Sequence, residues 1–515
     1  MSFTGSLLPF QEPMVKKMLD CRRLLVAAEM GLGKTVLTIA ALEELLEAGE
    51  VRSGLVIVPS ALKYQWMHQI EKFTDGATVI VIDGSPQHRQ RQYNEAMSED
   101  YDYIILNFEQ VVNDWQYVKA LPYDYIVVDE CTAIKNFRAK RTRRIKKLDA
   151  PYKFGLSGQP LENRPEEVFS IMEWIEPGYL GRFDTFDRTF IKRNHFGGVQ
   201  YYKNLPTLHR KLQNVMVRKR RTDPEVRDQL PKVTEQIMAV PFDAAGARLY
   251  RIITKELLED MAIYTATFGG GGWDIMKHYG VAGPGDSDEM KALGKIMSKL
   301  TAMRMLCDHP GLLAESAAKG SSQYAVELAD RGLLGGLVPT PKLTECLVLI
   351  EDILAADPAN KVVLFSFFKG SLRILKEHIR HDSVLFHGEM DAKEKDKAKT
   401  QFQTDPKCRV FLSSDAGGYG IDLPEANYLI NYDLPWSAGK LDQRNARIVR
   451  LSSTWESVTL INLVMAGSVE ERMYGLLEQK KAIASAVVDG QGIDRKGNLS
   501  LDLKSLTEFL SSSTV

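Results

Sequence analysis

Continuous apolar runs alternate with longer, helix-like stretches along the first part of the chain. The runs are rich in Val, Ile and Leu and are bounded by turn residues, a pattern that indicates strands buried on both faces of a parallel sheet. They are RLLVAA (23–28), GLVIVP (54–59), TVIVID (78–83), YDYIILN (101–107), YDYIVVDE (123–130) and YKFGLS (152–157). The stretches between them predict helices that cover this sheet.

The same pattern returns later in KVVLFSFF (361–368), SVLFHG (383–388), CRVFLSS (408–414), ANYLINYD (426–433) and VTLINLV (458–464). Between the two sets, the chain lacks strand runs after about Pro241 and predicts helices, with Gly-rich linker loops at 268–274 and 281–288. We therefore predict an α/β protein with two parallel-sheet lobes and a helical segment between them. The predicted parts are lobe one at 1–225, a helical connecting region at 226–340, lobe two at 341–488 and a tail at 489–515.

Composition excludes several classes of protein. The 515 residues are 44% apolar and 26% charged, so the chain fills ordinary cores and is neither disordered nor fibrous. Lys and Arg number 66 against 67 Asp and Glu, so a polyanion must be bound by a local basic patch. The five cysteines form no CxxC pair, which argues against zinc and is typical of a reducing cytosol. No apolar run is long enough for a membrane span, so we expect a soluble, cytoplasmic protein without a membrane partner.

A glycine-rich segment, AEMGLGKT, follows the first predicted strand and precedes a helical pattern. Its key positions are Ala28, Gly31, Gly33, Lys34 and Thr35. Glycines let backbone amides curl around a phosphate, and the helix N-terminus adds its positive dipole. The lysine reaches the outer phosphates, and the threonine hydroxyl offers an oxygen to Mg²⁺. The segment therefore predicts a site for ATP with Mg²⁺.

Two carboxylates, Asp129 and Glu130, follow the apolar run YIVV. At a strand end beside a phosphate loop, Asp129 is expected to hold Mg²⁺, directly or through water, and Glu130 to polarise the attacking water. Carboxylates at a strand end are also often merely solvated. The prediction therefore depends on the phosphate loop.

Together with further segments, these residues resemble the superfamily-two helicase-like ATPases and, within them, the Swi/Snf-like DNA translocases. The similar segments occur in the family's order over about residues 8–480. They are LLPFQ (7–11), AEMGLGKT (28–35), IVPSALKYQW (57–66), DECTAIKN (129–136), GLSGQPLEN (155–163), MVRKRRTDPEVRDQLPK (216–232), MRMLCDHPGLL (303–313), SDAGGYGIDL (414–423) and LDQRNARIVR (441–450). The resemblance implies two RecA-like lobes, with Gln11 as the reader of adenine.

The chain departs from the family pattern at several motif positions. Ala28 replaces an aspartate, Cys131 and Thr132 replace Ala-His, and Asp422 replaces the usual asparagine. Asp415 stands where a lysine often precedes the Gly-Gly pair. No departure removes a group needed for hydrolysis. Thr132, however, replaces the histidine that in the family relays DNA occupancy from the DECTAIKN segment to the GLSGQPLEN segment.

The second lobe carries an arginine motif, with Gln443, Arg447 and Arg450 in one short predicted helix. At i, i+3 spacing, the two arginines are expected to project from one face. By resemblance they reach the γ-phosphate when the second lobe closes over the first, although salt-bridged surface arginines are the competing interpretation. Gly420 is expected to allow close backbone approach to the nucleotide, and Asp422 to sense the nucleotide or the arginines.

The segment FRAKRTRRIKK (137–147) carries seven basic residues and no acid. Such a run neutralises phosphates without sequence preference, although a solvated helix face is the competing interpretation. A second basic cluster at 218–221 favours a duplex lying across both lobes. The expected nucleic-acid contacts are Arg138, Arg141, Arg143, Arg144, Arg218 and, by resemblance, Ser60, Lys63, Asn107 and Ser366.

These features favour an ATP-driven translocase on double-stranded DNA that binds without sequence preference and works as a monomer. Two alternatives stay open: a strand-separating helicase on DNA or RNA, and a DNA-binding recruitment protein whose ATPase times its release. Base-stacking aromatic residues are not evident near the motifs, which disfavours a single-strand binder.

Overall fold

The computed structural model describes residues 2–161, 164–193, 199–268, 287–335, 340–415, 421–490 and 503–512. Most of the two predicted Gly-rich loops lies outside these residues, as does Gly420. The chain folds into two compact units. Unit one contains the described residues of 1–191, 202–230 and 481–494, and unit two contains those of 192–201, 231–480 and 495–515.

Most strands follow the apolar runs of the sequence closely, but those at 191–193, 199–202, 216–219 and 232–240 were not predicted. They are β1 (Arg23–Ala28), β2 (Gly54–Val58), β3 (Val79–Val81), β4 (Tyr103–Asn107), β5 (Tyr125–Val128), β6 (Tyr152–Leu156), β7 (Ile191–Arg193), β8 (Val199–Tyr202), β9 (Met216–Lys219), β10 (Lys232–Val240), β11 (Val362–Ser366), β12 (Ser383–Phe386), β13 (Val410–Ser414), β14 (Tyr428–Asn431) and β15 (Ser457–Met465).

The helices lie between the strands and in a block ahead of β11. They are α1 (Glu12–Cys21), α2 (Lys34–Glu47), α3 (Lys63–Phe73), α4 (Pro86–Ser98), α5 (Phe108–Asn113), α6 (Trp115–Val118), α7 (Lys140–Ile145), α8 (Pro165–Ile175), α9 (Phe183–Phe190), α10 (Leu205–Leu212), α11 (Pro224–Arg227), α12 (Ala244–Phe268), α13 (Asp288–Asp308), α14 (Pro310–Ala318), α15 (Gln323–Asp330), α16 (Pro341–Ala356), α17 (Lys369–His378), α18 (Ala392–Thr404), α19 (Ala438–Asn445), α20 (Val469–Val488) and α21 (Leu503–Ser512).

Each unit is built on one parallel sheet. Unit one has seven strands in the order β3-β4-β2-β5-β6-β1-β9, and unit two has six in the order β10-β15-β14-β11-β13-β12. The described pairings within both sheets are all parallel. Every residue of β2, β4 and β6 is buried, as expected for strands covered by helices on both faces. The predicted α/β class with two parallel-sheet lobes is confirmed.

The helices that precede the second lobe share an apolar core with its sheet. Side chains of α12, α13, α14 and α15 pack in one cluster with Val240 at the end of β10 and Met465 at the end of β15. The helical region and the second sheet therefore fold as a single unit. Among the described helices, none combines the length and the apolarity that a membrane span requires.

The order of the strands in unit one determines where its site lies. Strand β6 pairs with both β5 and β1, with Val128 opposite Gly155 and Val26 opposite Leu156. Because parallel strands end at the same edge of a sheet, the residues after β1, β5 and β6 emerge side by side. These are the glycine-rich loop, the two carboxylates and the segment that begins at Ser157.

Candidate nucleotide site and nucleic-acid surface

The glycine-rich loop lies between β1 and α2, as the sequence predicts. Gly31 and Gly33 adopt left-handed backbone angles, with φ of +85° and +78°, which favour glycine over any residue with a Cβ. A Cβ atom at Gly33 would also lie only 2.6 Å from Nε2 of Gln11. Both the backbone angle and the close approach therefore require glycine at this position.

Gln11 is buried beside this loop. Its Nε2 donates a hydrogen bond to the carbonyl of Leu32 at 3.0 Å, and its Oε1 accepts one from the amide of Leu8 at 2.9 Å. The side chain is 4% exposed, so these contacts fix its orientation. The structure thus brings Gln11 to the phosphate loop, while adenine recognition by Gln11 stays a prediction.

Asp129 follows β5 and faces the start of α2. The indole Nε1 of Trp66 donates to its Oδ2, and the amide of Glu130 donates to its Oδ1, both at 2.8 Å. Burial raises the pKa of Asp129 above its usual value, against the opposing effects of the Trp66 hydrogen bond and the Lys34 charge. Trp66 was not predicted as a site residue, although it is the last residue of the IVPSALKYQW segment.

This environment is suited to a bound cation. Asp129 is 6% exposed, and a buried carboxylate is stabilised in its charged form by positive charge nearby. Thr35 lies in the first turn of α2 and offers a hydroxyl oxygen, a ligand type that Mg²⁺ prefers. Lys34 Nζ donates to the carbonyl of Ala28 at 3.1 Å, which places the ammonium across the mouth of the loop. The residues present therefore fit Mg²⁺ together with phosphate.

Glu130 has an unusual backbone conformation. Its φ of 48° and ψ of 53° place a residue with a Cβ in the left-handed region, immediately before the 3₁₀ turn Cys131–Ile134. Such a conformation costs on the order of 1 kcal/mol and is often found at functional sites. Here it gives two consecutive carboxylates different surroundings. Asp129 is buried, whereas Glu130 is only partly buried.

The arginine motif of unit two differs from its predicted conformation. The prediction that one helix carries Gln443, Arg447 and Arg450 is wrong, because α19 ends at Asn445 and both arginines lie in the turns that follow. Arg447 Nη1 donates to the carbonyl of Ile421 at 3.1 Å. Arg450 Nη2 forms an ion pair with Oδ1 of Asp422 at 2.6 Å. The two guanidinium groups therefore contact the consecutive residues Ile421 and Asp422. These contacts, and not the spacing of a helix, bring the two arginines together.

Arg444, which was not predicted as a site residue, is more buried than Arg447, at 2% exposed against 8%. Its Nε donates to Oδ1 of Asp415 at 2.6 Å, and its Nη2 donates to Oδ1 of Asp433 at 3.2 Å. Burial alone would lower the pKa of Arg444, but the charges of Asp415 and Asp433 outweigh burial and raise this pKa. Asp415 therefore holds an arginine of its own unit.

Four side chains expected to contact nucleic acid have partners inside the protein. Lys63 is 2% exposed and donates to Oδ1 of Asp83 at 2.7 Å. Asn107 caps α5 by accepting from the amide of Gln110, and Ser366 Oγ donates to Oδ2 of Asp433 at 2.5 Å. Arg218 is paired with carboxylates of unit one. Contact of these four side chains with DNA stays a prediction, and for Lys63 it requires breaking an ion pair in which the lysine is buried and Asp83 is partly exposed.

The remaining nucleic-acid candidates lie on the surface. Ser60 is exposed in the 3₁₀ turn Ser60–Leu62. In the basic segment, Arg138, Arg141 and Arg143 are exposed, whereas Arg144 is partly buried with its guanidinium 4.8 Å from the ring centre of Trp115.

The chain matches the SNF2-related domain over residues 10–312 and the helicase conserved C-terminal domain over residues 344–452. It is 25% identical over 498 residues to the putative ATP-dependent helicase/translocase YwqA of Bacillus subtilis. The aligned region covers 95% of this chain and 50% of that protein. It is 26% identical over 546 residues to the DNA repair and recombination protein RAD54-like of Gallus gallus. The aligned region covers 97% of this chain and 70% of that protein. The chain thus spans half the length of the first of these relatives.

Among solved structures, the helicase domain of Pyrococcus furiosus Hef has a similar fold, with a TM-score of 0.54, 16% identity and coverage of 92% of this chain and 99% of that one. The match to the SNF2-related domain alone extends over more than half of the chain. With its phosphate loop and strand-end carboxylates in place, this chain belongs to the SNF2-related family and is a helicase-like ATPase.

Proposed function

We propose that this chain is an ATP-driven translocase on double-stranded DNA. The observation that carries the DNA assignment is the exposed basic segment of unit one. Two buried side chains, Thr142 and Ile145, anchor α7, and all of its basic residues except the partly buried Arg144 are exposed. Exposed positions of the segment are Arg138, Lys140, Arg141, Arg143 and Lys147. Within the described part of the chain, these five have no carboxylate partner, so their charge is available to a polyanion.

A charged surface of this kind favours the DNA backbone over its bases. Arginine and lysine side chains neutralise phosphates regardless of sequence, and the release of counterions supplies much of the affinity. The chain as a whole has a formal net charge of −1, so attraction to DNA must come from such a local surface. The names of the relatives, a helicase/translocase and a DNA repair and recombination protein, agree with this assignment.

The proposed chemistry at the nucleotide uses residues of the phosphate loop and the strand end. Lys34 binds the outer phosphates, and Glu130 orients and polarises the water that attacks the γ-phosphorus. Thr35 and Asp129 would hold Mg²⁺, which would supply charge neutralisation for the phosphates. Arg447 is assigned to stabilise the charge of the transferring phosphoryl group, with Arg450 fixed by Asp422.

Two measurements on the full chain test this function. ATP hydrolysis should be stimulated more by blunt duplex DNA than by single-stranded DNA or RNA, and the protein should displace a triplex-forming strand from a duplex when ATP is supplied. Stimulation by single strands, with unwinding of forked DNA, would instead identify a strand-separating helicase. Duplex-stimulated hydrolysis without triplex displacement would identify a DNA-binding protein whose ATPase times its release.

Replacing Arg141, Arg143 and Arg144 together by alanine should weaken duplex binding. We expect the slope of log affinity against log salt to fall by up to about 0.9 per lost phosphate contact. The measurement is the duplex dissociation constant over a series of salt concentrations. A matched control replaces Lys16, Arg52 and Arg91, three exposed basic residues elsewhere in unit one, and should leave the slope unchanged. Equal effects of the two triple variants would make the basic segment an ordinary solvated surface.

A further inference from the structure

The guanidinium group of Arg218 joins three segments of unit one. Arg218 lies on β9, opposite Ala27 of β1 in the parallel register. Its Nη1 donates to the carbonyls of Ala27 at 3.0 Å and Gly158 at 3.1 Å, and its Nη2 donates to Oε1 of Glu29 at 3.0 Å. Its Nε donates to Oδ1 of Asp489 at 2.7 Å. Each nitrogen of the guanidinium group therefore has an acceptor.

Two of these contacts fix the start of the phosphate loop. Ala27 is the penultimate residue of β1, and Glu29 is the first residue of the loop. Glu29 is held from its other oxygen by Arg221, whose backbone amide donates to Oε2 at 2.9 Å. Burial alone would raise the pKa of Glu29, but the charges of Arg218 and Arg221 hold this pKa below its usual value. Glu29 is thus an ionised anchor at the base of the loop.

The third contact ties the loop to the segment after β6. Gly158 packs so closely on the loop that a Cβ atom there would lie 2.8 Å from Cγ and 3.2 Å from the amide nitrogen of Met30. Since Arg218 binds the carbonyl of the same glycine, it holds both sides of this contact. A change in the position of the guanidinium group is therefore expected to move the loop.

Asp489 holds Arg218 from the chain just after α20. Its second carboxylate oxygen accepts from Oγ of Ser485 at 3.0 Å. The preceding turn is fixed to α10, because Nδ1 of His209 lies 3.0 Å from the carbonyl oxygen of Val487. Gly490 follows with a φ of +73°, and a Cβ there would lie 2.7 Å from Nε2 of His209. The carboxylate of Asp489 is therefore fixed on the Nε of Arg218.

We infer that Asp489 is a positioning residue for ATP binding, acting through Arg218 on the phosphate loop. Asp489 lies beyond both matched family domains, which end at residues 312 and 452. Removing its charge leaves Nε of Arg218 without its ionic partner and loosens the guanidinium group that fixes Ala27, Glu29 and Gly158. Because the loop contacts the nucleotide before and during the reaction, its displacement should weaken binding more than it slows turnover.

Asp489→Asn should raise the dissociation constants of ATP and ADP by about tenfold, the factor that corresponds to replacing a charge-assisted hydrogen bond by a neutral one. The turnover number at saturating ATP should change less than twofold, and Asp489→Glu should restore much of the affinity. Equilibrium binding of fluorescent ATP and ADP analogues to the full chain measures this without DNA. The outcome is therefore independent of the proposed translocase function.

Asp114→Asn is the matched control. Asp114 pairs with Nε of Arg89 at the same distance, 2.7 Å, and with comparable burial, but it lies by the β3–β4 edge of the sheet, away from the phosphate loop. The Asp114→Asn variant should lower the thermal midpoint at least as much as Asp489→Asn does, while leaving nucleotide affinity unchanged. In an Arg218→Gln background, Asp489→Asn should have no further effect on affinity.

Three results would overturn the inference. Unchanged nucleotide affinity of Asp489→Asn, with a lower thermal midpoint, would make the ion pair purely structural. Tighter ATP binding would show that Asp489 acts only through its negative charge near the phosphates. Equal loss of affinity in Asp114→Asn would show a general effect of destabilising unit one. Should Arg218→Gln fail to fold, the comparison of Asp489→Asn, Asp489→Glu and Asp114→Asn still decides among these results.

Discussion

Glu130→Gln should bind ATP with nearly normal affinity and lose turnover by about 10²- to 10⁴-fold, the range for removal of a group that handles a proton in the transition state. A glutamine side chain keeps the size and hydrogen-bonding reach of glutamate but cannot carry the negative charge that polarises water. In the proposed site, phosphate is bound by other groups, namely Lys34 and the loop amides. The measurements are the nucleotide dissociation constant and the single-turnover rate of hydrolysis.

Lys34→Ala provides the contrasting variant. It removes the ammonium group at the mouth of the loop, so ATP affinity itself should fall, and turnover should fall with it at any practical nucleotide concentration. The pair of variants separates binding from chemistry. Normal hydrolysis by Glu130→Gln would mean that the strand-end carboxylates do not have the assigned roles.

The backbone at Glu130 makes this test a clean one. Its left-handed conformation is tolerated at a cost of about 1 kcal/mol, and glutamine makes the same demand because both residues have the same Cβ and chain length. The thermal midpoint of Glu130→Gln should therefore match that of the unaltered protein. A loss of activity without a loss of stability can then be assigned to the carboxylate.

The strands that the sequence predicts include all those in the middle of the two sheets, together with β3 and β12 at their edges. Strands such as β2, β4 and β13 are continuous apolar runs because helices cover both of their faces. The strands missed are β9 and β10, at the edges of the two large sheets, and β7 and β8, which form a separate two-stranded sheet. Strand β9 is MVRK and half-exposed, and β10 is KVTEQIMAV with most of its residues exposed. An edge strand lacks a neighbour on one side, so its residues are not restricted to apolar types.

The candidate site shows a similar division between local and distant information. The glycine positions, Lys34 and the two carboxylates could be predicted because each belongs to a short motif whose spacing reflects the chemistry. Their partners could not, because Trp66 is 63 residues from Asp129 and Asp489 is 271 residues from Arg218. No periodicity in a single sequence encodes such pairs. Arg444 was missed for another reason. It shares its motif with Arg447 and Arg450, and the sequence does not distinguish which of the three arginines is the most buried.

The arginine motif gives the second large effect. Arg447→Ala should leave nucleotide affinity of the full chain within about twofold and reduce DNA-stimulated turnover by about a thousandfold, as expected for an arginine that stabilises the phosphoryl group only in the transition state. Arg447→Lys should recover little of this activity, because an ammonium group cannot make the forked contacts of a guanidinium group. Steady-state hydrolysis with and without duplex DNA, together with nucleotide binding, measures both quantities.

Stability has to be measured alongside, because Arg447 is 8% exposed and its Nη1 donates to the carbonyl of Ile421. Loss of that donor is expected to cost about 1–3 kcal/mol in the free energy of unfolding of unit two. Arg450→Ala is the comparison, since it breaks the ion pair with Asp422. If Arg450→Ala is inactive while duplex DNA still stimulates Arg447→Ala several-fold, the catalytic arginine is Arg450. If DNA stimulates both variants normally, neither arginine completes the nucleotide site, and ATP hydrolysis depends on unit one alone.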